Sequence, residues 1–394
     1  MRKWYEGNSG LIIGDIWSIS GLNHGKLGRK ERSPLRAFFS EMRTIEWIDN
    51  TQEVKLIDQR RLPGALEFLT IRNAEEMVDA IKSMAVRGAP ALGVAGAFGL
   101  ALEAARFQPL RGETLQERLS SSAAILINSR PTAVNLAYCI NQVLELLNDA
   151  DETDEQTLAE KIIALALDLA EQDVNTNYQL AKNAANLIAD GDTIIHHCNT
   201  GSLAGVDWGT ALGGIRYAHE QGKRVHVLVD ETRPLLQGAR LTAWECQQYG
   251  IPFEIITDNA AGFYLQSGKV QKVFFGADRV AANGDVVNKV GTYMLSLAAA
   301  ANKVPVVCVF PLATLDLSIE AGNQIIIEER DPQEVLSIKI GDRVATPLHA
   351  RALNPAFDLT PHGLITAWVT ETGQIKPPFT QDLVQSRYNQ EMGA

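Results

Sequence analysis

Thr193-Ile194-Ile195-His196-His197-Cys198-Asn199-Thr200-Gly201-Ser202 is the stretch from which the fold is read. A β-branched run ends there in small and polar residues and passes into a helical pattern over 203–221. The alternation then continues. Short β-rich runs at Arg224–Asp230, Phe253–Thr257, Lys272–Gly276 and Val304–Phe310 are interleaved with helical patterns over 236–249, 259–266 and 291–301. Such a βαβ progression predicts an α/β fold with an open parallel sheet and helices on both faces. Ligands of these sheets bind beyond the carboxyl ends of the strands, where Cys198, Asp230 and Asp278 all fall.

Upstream the periodicity differs. Partial alternation from Ile45 to Ile57 around Asp49-Asn50-Thr51 reads as a hairpin. Asn73 can cap a helix over Ala74–Ala85, Pro90 opens an Ala/Gly-rich helix to about Ala105, and further helices cover 114–128 and 132–149. Asp151 or Thr153 can cap a long amphipathic helix that continues to Ala189. Residues 1–41 stand apart: they carry seven basic and four acidic residues in a chain whose formal net charge is −11. They read as an N-terminal extension, either a disordered arm or sequence upstream of a natural start at Met42.

With 394 residues, 46% apolar and 21% charged, the chain is long enough for two or three domains and can bury a core without staples. Its acidic balance argues against a general nucleic-acid-binding surface. The four cysteines are widely separated and form no CxxC pair, which argues against a disulfide framework or a zinc ribbon and fits a reducing cytoplasm. No apolar run approaches the roughly 18 residues of a membrane span. Neither GxGxxG nor GxxxxGK[ST] is present, so NAD, FAD or ATP binding by those loops is disfavoured. His196 and His197 are strand neighbours pointing to opposite faces, so no metal is indicated.

Several segments can carry chemistry, each with an ordinary structural alternative. Arg87-Gly88-Ala89-Pro90 precedes a helix, where free N–H groups and a planar guanidinium suit a phosphate; read alone, the motif fits a plain helix start with a surface arginine better. Arg130-Pro131-Thr132 repeats that logic. Cys198, between a strand and a helix, is either a thiol of lowered pKa at the positive helix end or a small buried hydrophobe. Asp278, after Lys272-Val273-Phe274-Phe275, is either a partly buried proton donor or a turn residue paired with Arg279. Asp230-Glu231, Gln237 and Asn288-Lys289 have polar groups suited to hydroxyls and phosphate.

Taken in order, these blocks resemble the methylthioribose-1-phosphate isomerase family from about Met42 to about Glu371. The resemblance rests on Met42–Trp47, Leu56–Arg60, Arg87–Gly93, Arg130–Asn135, His197–Ser202, Asp230–Pro234 with Gln237–Arg240, Asp258-Asn259, Gly276–Val280, Asn288–Thr292, Asn354–Asp358 and Thr360–His362. Ribose-1,5-bisphosphate isomerases and the non-catalytic regulatory subunits of the eukaryotic initiation-factor 2B complex share the fold and are the alternatives. The regulatory subunits are expected to lack the cysteine–aspartate pair that stands here as Cys198 and Asp278.

The resemblance implies a small hairpin-and-helix domain over 42–175 followed by a Rossmann-like catalytic domain over 176–394. It implies conversion of 5-methylthio-ribose 1-phosphate to 5-methylthio-ribulose 1-phosphate in methionine salvage, with no cofactor or metal, by a cytoplasmic homodimer that binds neither nucleic acid nor membrane. Asp278 would be the proton donor with Cys198 beside it. Arg87, Gly88, Ala89, Arg130, Gln237, Asn288 and Lys289 would hold the substrate.

Overall fold

The computed structural model describes residues 42–108, 113–131, 133–148 and 154–379. The expected extension over 1–41 lies outside the described residues.

The hairpin forms from β1 (Ile45–Ile48) and β2 (Glu53–Ile57), and a third antiparallel strand, β3 (Phe68–Ile71), pairs with β2. Ile45, Trp47, Val54 and Leu56 point inward while Glu46 is exposed, the period-2 pattern of a half-buried sheet. Helices follow as α1 (Ala74–Lys82), α2 (Ala89–Ala105), α3 (Leu115–Ser129), α4 (Val134–Asn148) and α5 (Glu155–Ala185). Asn73 caps α1 by accepting the Glu76 N–H, and Thr114 and Glu117 form a capping box on α3. The cap of α5 is Asp154 rather than Asp151 or Thr153, and its carboxylate accepts the N–H groups of Gln156 and Thr157. The helix runs without a break through residue 175 and ends at Ala185, short of Ala189.

Helix α2 is apolar on all sides and forms the centre of this layer. Its glycines recur every third residue and let the neighbouring helices approach. A Cβ on Gly93 would lie 2.8 Å from Cys139 Sγ, and one on Gly96 would lie 2.7 Å from Leu136 Cδ1.

The large sheet contains β4 (Thr193–His196), β5 (His226–Asp230), β6 (Phe253–Ile256), β7 (Lys272–Phe275), β10 (Val306–Val309), β15 (Ala367–Thr370) and β16 (Gly373–Ile375), in the order β16-β15-β10-β7-β4-β5-β6. Every pairing in it is parallel except β15 with β16. Alternating side chains supply two cores. Ile194, Val227 and Phe274 pack with α5 and with α6 (Ala211–Glu220), alongside Cys246 and Tyr249 of α7 (Ala243–Tyr249). Ile195, Leu228 and Phe275 pack with α8 (Ala261–Gln266) and α9 (Thr292–Ala301).

Two expected helices are shorter than their patterns. In place of a helix over 203–221, Ser202–Ala204 forms one 3₁₀ turn and α6 begins only at Ala211. Gly209 turns there at φ 77°, against the Gly201 backbone, and Trp208 is also left-handed. Over 236–249, Gly238–Thr242 is a π turn that leads into α7. A second sheet, not anticipated, has the order β11-β8-β9-β14, from β8 (Arg279–Ala281), β9 (Val286–Lys289), β11 (Leu315–Asp316) and β14 (Phe357–Thr360). β12 (Lys339–Ile340) and β13 (Arg343–Val344) form a separate exposed ribbon.

The close packing of α2 on α4 makes a direct prediction. Gly96→Leu overfills the contact with Leu136 and Ile140 and is expected to destabilise the fold by about 1–3 kcal/mol, measured as a lowered urea midpoint.

Candidate active site

The strand order reverses at β4. The chain moves from β4 through β5 to β6, then returns to the other side of β4 as β7. The carboxyl ends of β4 and β7 therefore diverge at a topological switch point, the usual ligand crevice of such sheets. Cys198 follows β4 by two residues and Asp278 follows β7 by three.

A cavity of about 410 Å³ opens there, lined by Arg87, Gly88, Ala89, Arg130, Cys198, Gln237, Asp278, Asn288 and Lys289. These residues come from both layers of the molecule. Of the other polar residues picked out in sequence, neither Asp230 nor Glu231 lines the cavity, and Asp230 is buried. The remaining wall includes apolar Met84, Pro131, Leu235, Ile325 and Phe357 interleaved with Arg279 and Arg330, and Arg330 Nη2 lies 3.6 Å from Met84 Sδ.

Gly88 is the N-cap of α2 at φ 96°, with Ala89 and Pro90 in the first turn and no side chain capping the helix. A Cβ on Gly88 would collide with the Ala204 backbone, so glycine is required for both conformation and space. The Arg87 guanidinium donates to Gln59 Oε1 at 3.1 Å, to the Asn199 carbonyl at 3.2 Å, and to Asn199 Oδ1. Asn199 passes this on, its Nδ2 donating to Glu245 Oε1 at 2.8 Å. Glu245 is fully buried and also accepts the Ser202 N–H at 2.8 Å. Gln59, Asn199 and Glu245 were not anticipated as site residues. Gln59 and Glu245 act through Arg87 and Asn199, while Asn199, next to Cys198, also lines the cavity; being the neighbour of Cys198 is the one signal that could have marked it.

The Cys198 backbone is left-handed, at φ 65°. Its N–H donates to Thr232 Oγ1 at 3.0 Å and its carbonyl accepts from Thr242 Oγ1 at 2.7 Å. The expected lowering of its thiol pKa is not found. Burial pushes the thiol up, and Arg87 and Lys289 only partly oppose this. A three-residue 3₁₀ turn, not the expected long helix, follows the cysteine. The same burial raises the Asp278 carboxyl, against the pull of Lys289, Arg130 and Arg87. Burial also lowers Lys289, while Cys198 and Asp278 favour its charge. Lys289 Nζ donates to the Ala356 carbonyl at 2.7 Å and lies 4.6 Å from the centre of the Phe357 ring. Asn288 Nδ2 is held by Thr292 Oγ1 at 2.9 Å, and buried Gln237 Oε1 has no hydrogen-bond partner.

His197, Asp230 and Asp258 bring three possible metal-ligand atoms within 4.8 Å of one another. Most of their polar atoms are already in hydrogen bonds, while buried Asp230 Oδ1 has no partner. Both His197 nitrogens face Asp230 and Val290, and the Asp258 oxygens accept the N–H groups of Thr232 and Arg233.

Residues 85–377 match the Initiation factor 2 subunit family. A relative named methylthioribose-1-phosphate isomerase, from Thermotoga neapolitana, is 46% identical over 341 residues, which are 86% of this chain and 97% of that protein. The crystal structure of 5-methylthioribose 1-phosphate isomerase from Pyrococcus horikoshii is 39% identical with a TM-score of 0.80, over 87% of this chain and 95% of that one. A crystal structure from A. fulgidus, named translation initiation factor eIF-2B, subunit delta, is 42% identical with a TM-score of 0.78, over 88% and 100%.

The Gly88 contact is testable on its own. Gly88→Ala is expected to lower stability by more than about 1 kcal/mol and to weaken binding of inorganic phosphate, read by urea denaturation and by calorimetric titration.

Proposed function

Because the chain belongs to the initiation factor 2 subunit family and, within it, to the methylthioribose-1-phosphate isomerases, we propose that it converts 5-methylthio-α-D-ribose 1-phosphate to 5-methylthio-D-ribulose 1-phosphate, an aldose–ketose isomerisation of methionine salvage. The observation that carries this reading to the site is one cavity uniting Cys198 and Asp278 with Arg87, Arg130 and Lys289.

A phosphate on C1 blocks the anomeric hydroxyl, so the sugar ring cannot open spontaneously. In the proposed reaction, protonated Asp278 gives its proton to the ring oxygen as the bond from that oxygen to C1 breaks. Cys198 thiolate takes the C2 proton and an enol phosphate forms. Asp278 carboxylate then takes the C2 hydroxyl proton, and the Cys198 thiol returns a proton to C1, leaving the ketose. Arg87, Lys289 and the N–H groups around Gly88 and Ala89 hold the phosphate, Arg130 adds positive charge, and Gln237 and Asn288 meet hydroxyls. Enclosure favours protonated Asp278 and strengthens these interactions. A second route, hydride shift from C2 to C1, is favoured by the burial that raises the Cys198 thiol, because it needs no base at C2.

The relatives named methylthioribose-1-phosphate isomerase, together with apolar Leu235 and Ile325 in the cavity wall, support a methylthio group over the second phosphate of a bisphosphate substrate. The Cys198–Asp278 pair supports an enzyme over a regulatory subunit. The working setting in this reading is a homodimer in a reducing cytoplasm.

The decisive measurement is a proton NMR time course of the purified protein with this substrate in heavy water. Appearance of the ketose is expected; deuterium at C1 identifies proton transfer, whereas its absence fits either a hydride shift or return of the same proton by an enclosed Cys198. Asp278→Asn and Cys198→Ser should each lower turnover about 10²- to 10⁴-fold, and near-full activity of both would sink the assignment. The pH profile has a definite sign. Asp278 acts protonated, so kcat/KM falls as pH rises through its raised pKa, and this limb should vanish in Asp278→Asn.

A further inference from the structure

We infer that His197, as an imidazolium donating from both ring nitrogens, is a positioning residue that clamps the end of β9, where Lys289 stands, to the strand end carrying Cys198. The ring is 1% exposed. Nδ1 lies 2.9 Å from Asp230 Oδ2 and Nε2 lies 3.0 Å from the Val290 carbonyl. A carbonyl can only accept, so Nε2 carries a proton; burial raises the Asp230 carboxyl to about 6 against its pairing with His197, and the ionised carboxylate, once paired, takes a second proton on Nδ1 as its donor. The two bonds tie β4 to the end of β5 and to the residue immediately after Lys289.

The loop after Lys289 is built to receive the ring. Gly291 lies over it at φ 105°, and a Cβ there would sit 2.8 Å from His197 Cε1. From the other side, Asp358 Oδ2 accepts the Gly291 N–H at 2.7 Å. Asp258 and Asp358, from two further elements, also favour a positive ring. Neighbouring His196 remains neutral, its pKa pushed down to about 3 by burial. Lys289 is the cation at the start of this loop.

The inference rests on the reading that Lys289 holds the substrate phosphate, and its test separates the two. His197→Asn retains a donor toward Asp230 and loses the bond to Val290; His197→Gln retains a donor toward Val290. Loss of that single bond to the loop is expected to raise KM for the sugar phosphate and Kd for inorganic phosphate about tenfold in His197→Asn, with kcat changed less. His197→Gln should stay nearer the wild-type phosphate affinity despite any loss of stability. Equal phosphate affinity in wild type and His197→Asn, or equal impairment of the two variants, would overturn the inference. Independently of whether either variant folds, ¹⁵N-histidine NMR of the wild-type protein should show one histidine with both ring nitrogens protonated at neutral pH. A ring with an unprotonated Nδ1 would overturn it as well. Turnover by the wild-type protein tests the isomerase reading alone, and the ring protons do not depend on it.

Discussion

The parallel pairing of β4 with two partners organises the molecule. Ile195 sits opposite Leu228 on one side and Val273 on the other, so β4 is covered on both edges and must be apolar on both faces. Parallel neighbours cannot be joined by tight turns, and the connecting helices therefore cover the sheet. The reversal of direction around β4 leaves its carboxyl end and that of β7 with their connections running apart. Cys198 and Asp278 stand on the two sides of that opening. The left-handed backbone at Cys198, secured by Thr232 and Thr242, is strain that the surrounding hydrogen bonds sustain.

The electrostatics of the cavity follow from the same burial. Cations and acids are drawn out of water together, and each ion is disfavoured by desolvation while its opposite-charge neighbours support it. Arg87 is pulled down by burial and supported by Cys198, Glu245 and Asp278. Arg130, likewise pulled down, has Glu328 at 3.8 Å. A set of desolvated cations beside one carboxyl inclined to stay neutral is an arrangement that a phosphate ester would complete. The Glu245–Asn199–Arg87 relay and the His197 clamp keep those cations in place.

Much of this was legible in the residues. Asn73, Thr114 and Pro90 mark helix starts by chemistry that acts within one turn, so reading them needs no tertiary information. The strand runs of the large sheet were readable because buried parallel strands are short, β-branched and bounded by polar residues. Local rules failed where a segment's conformation depends on a distant one. The pattern over 203–221 looked helical, but Gly209 pressed against Gly201 breaks it. β8 and β9 were missed although Asn283-Gly284 between them is a hairpin signal, because three- and four-residue strands offer too little periodicity to weigh. Of the two readings open for Cys198, burial decides against the lowered thiol pKa, and burial is not visible in a single segment.

The residues alone therefore determined the βαβ order, the start of the helix capped by Asn73 and the ordered blocks that carry the family likeness, since each of these is encoded within a few neighbouring positions. Only the tertiary structure decided that segments as far apart as Arg87, Cys198, Asp278 and Lys289 share one cavity, and in which direction burial moves their protons. Proximity across the fold and exclusion of water belong to no segment by itself; they arise when the sheet reverses around β4 and the α2 layer closes over its end.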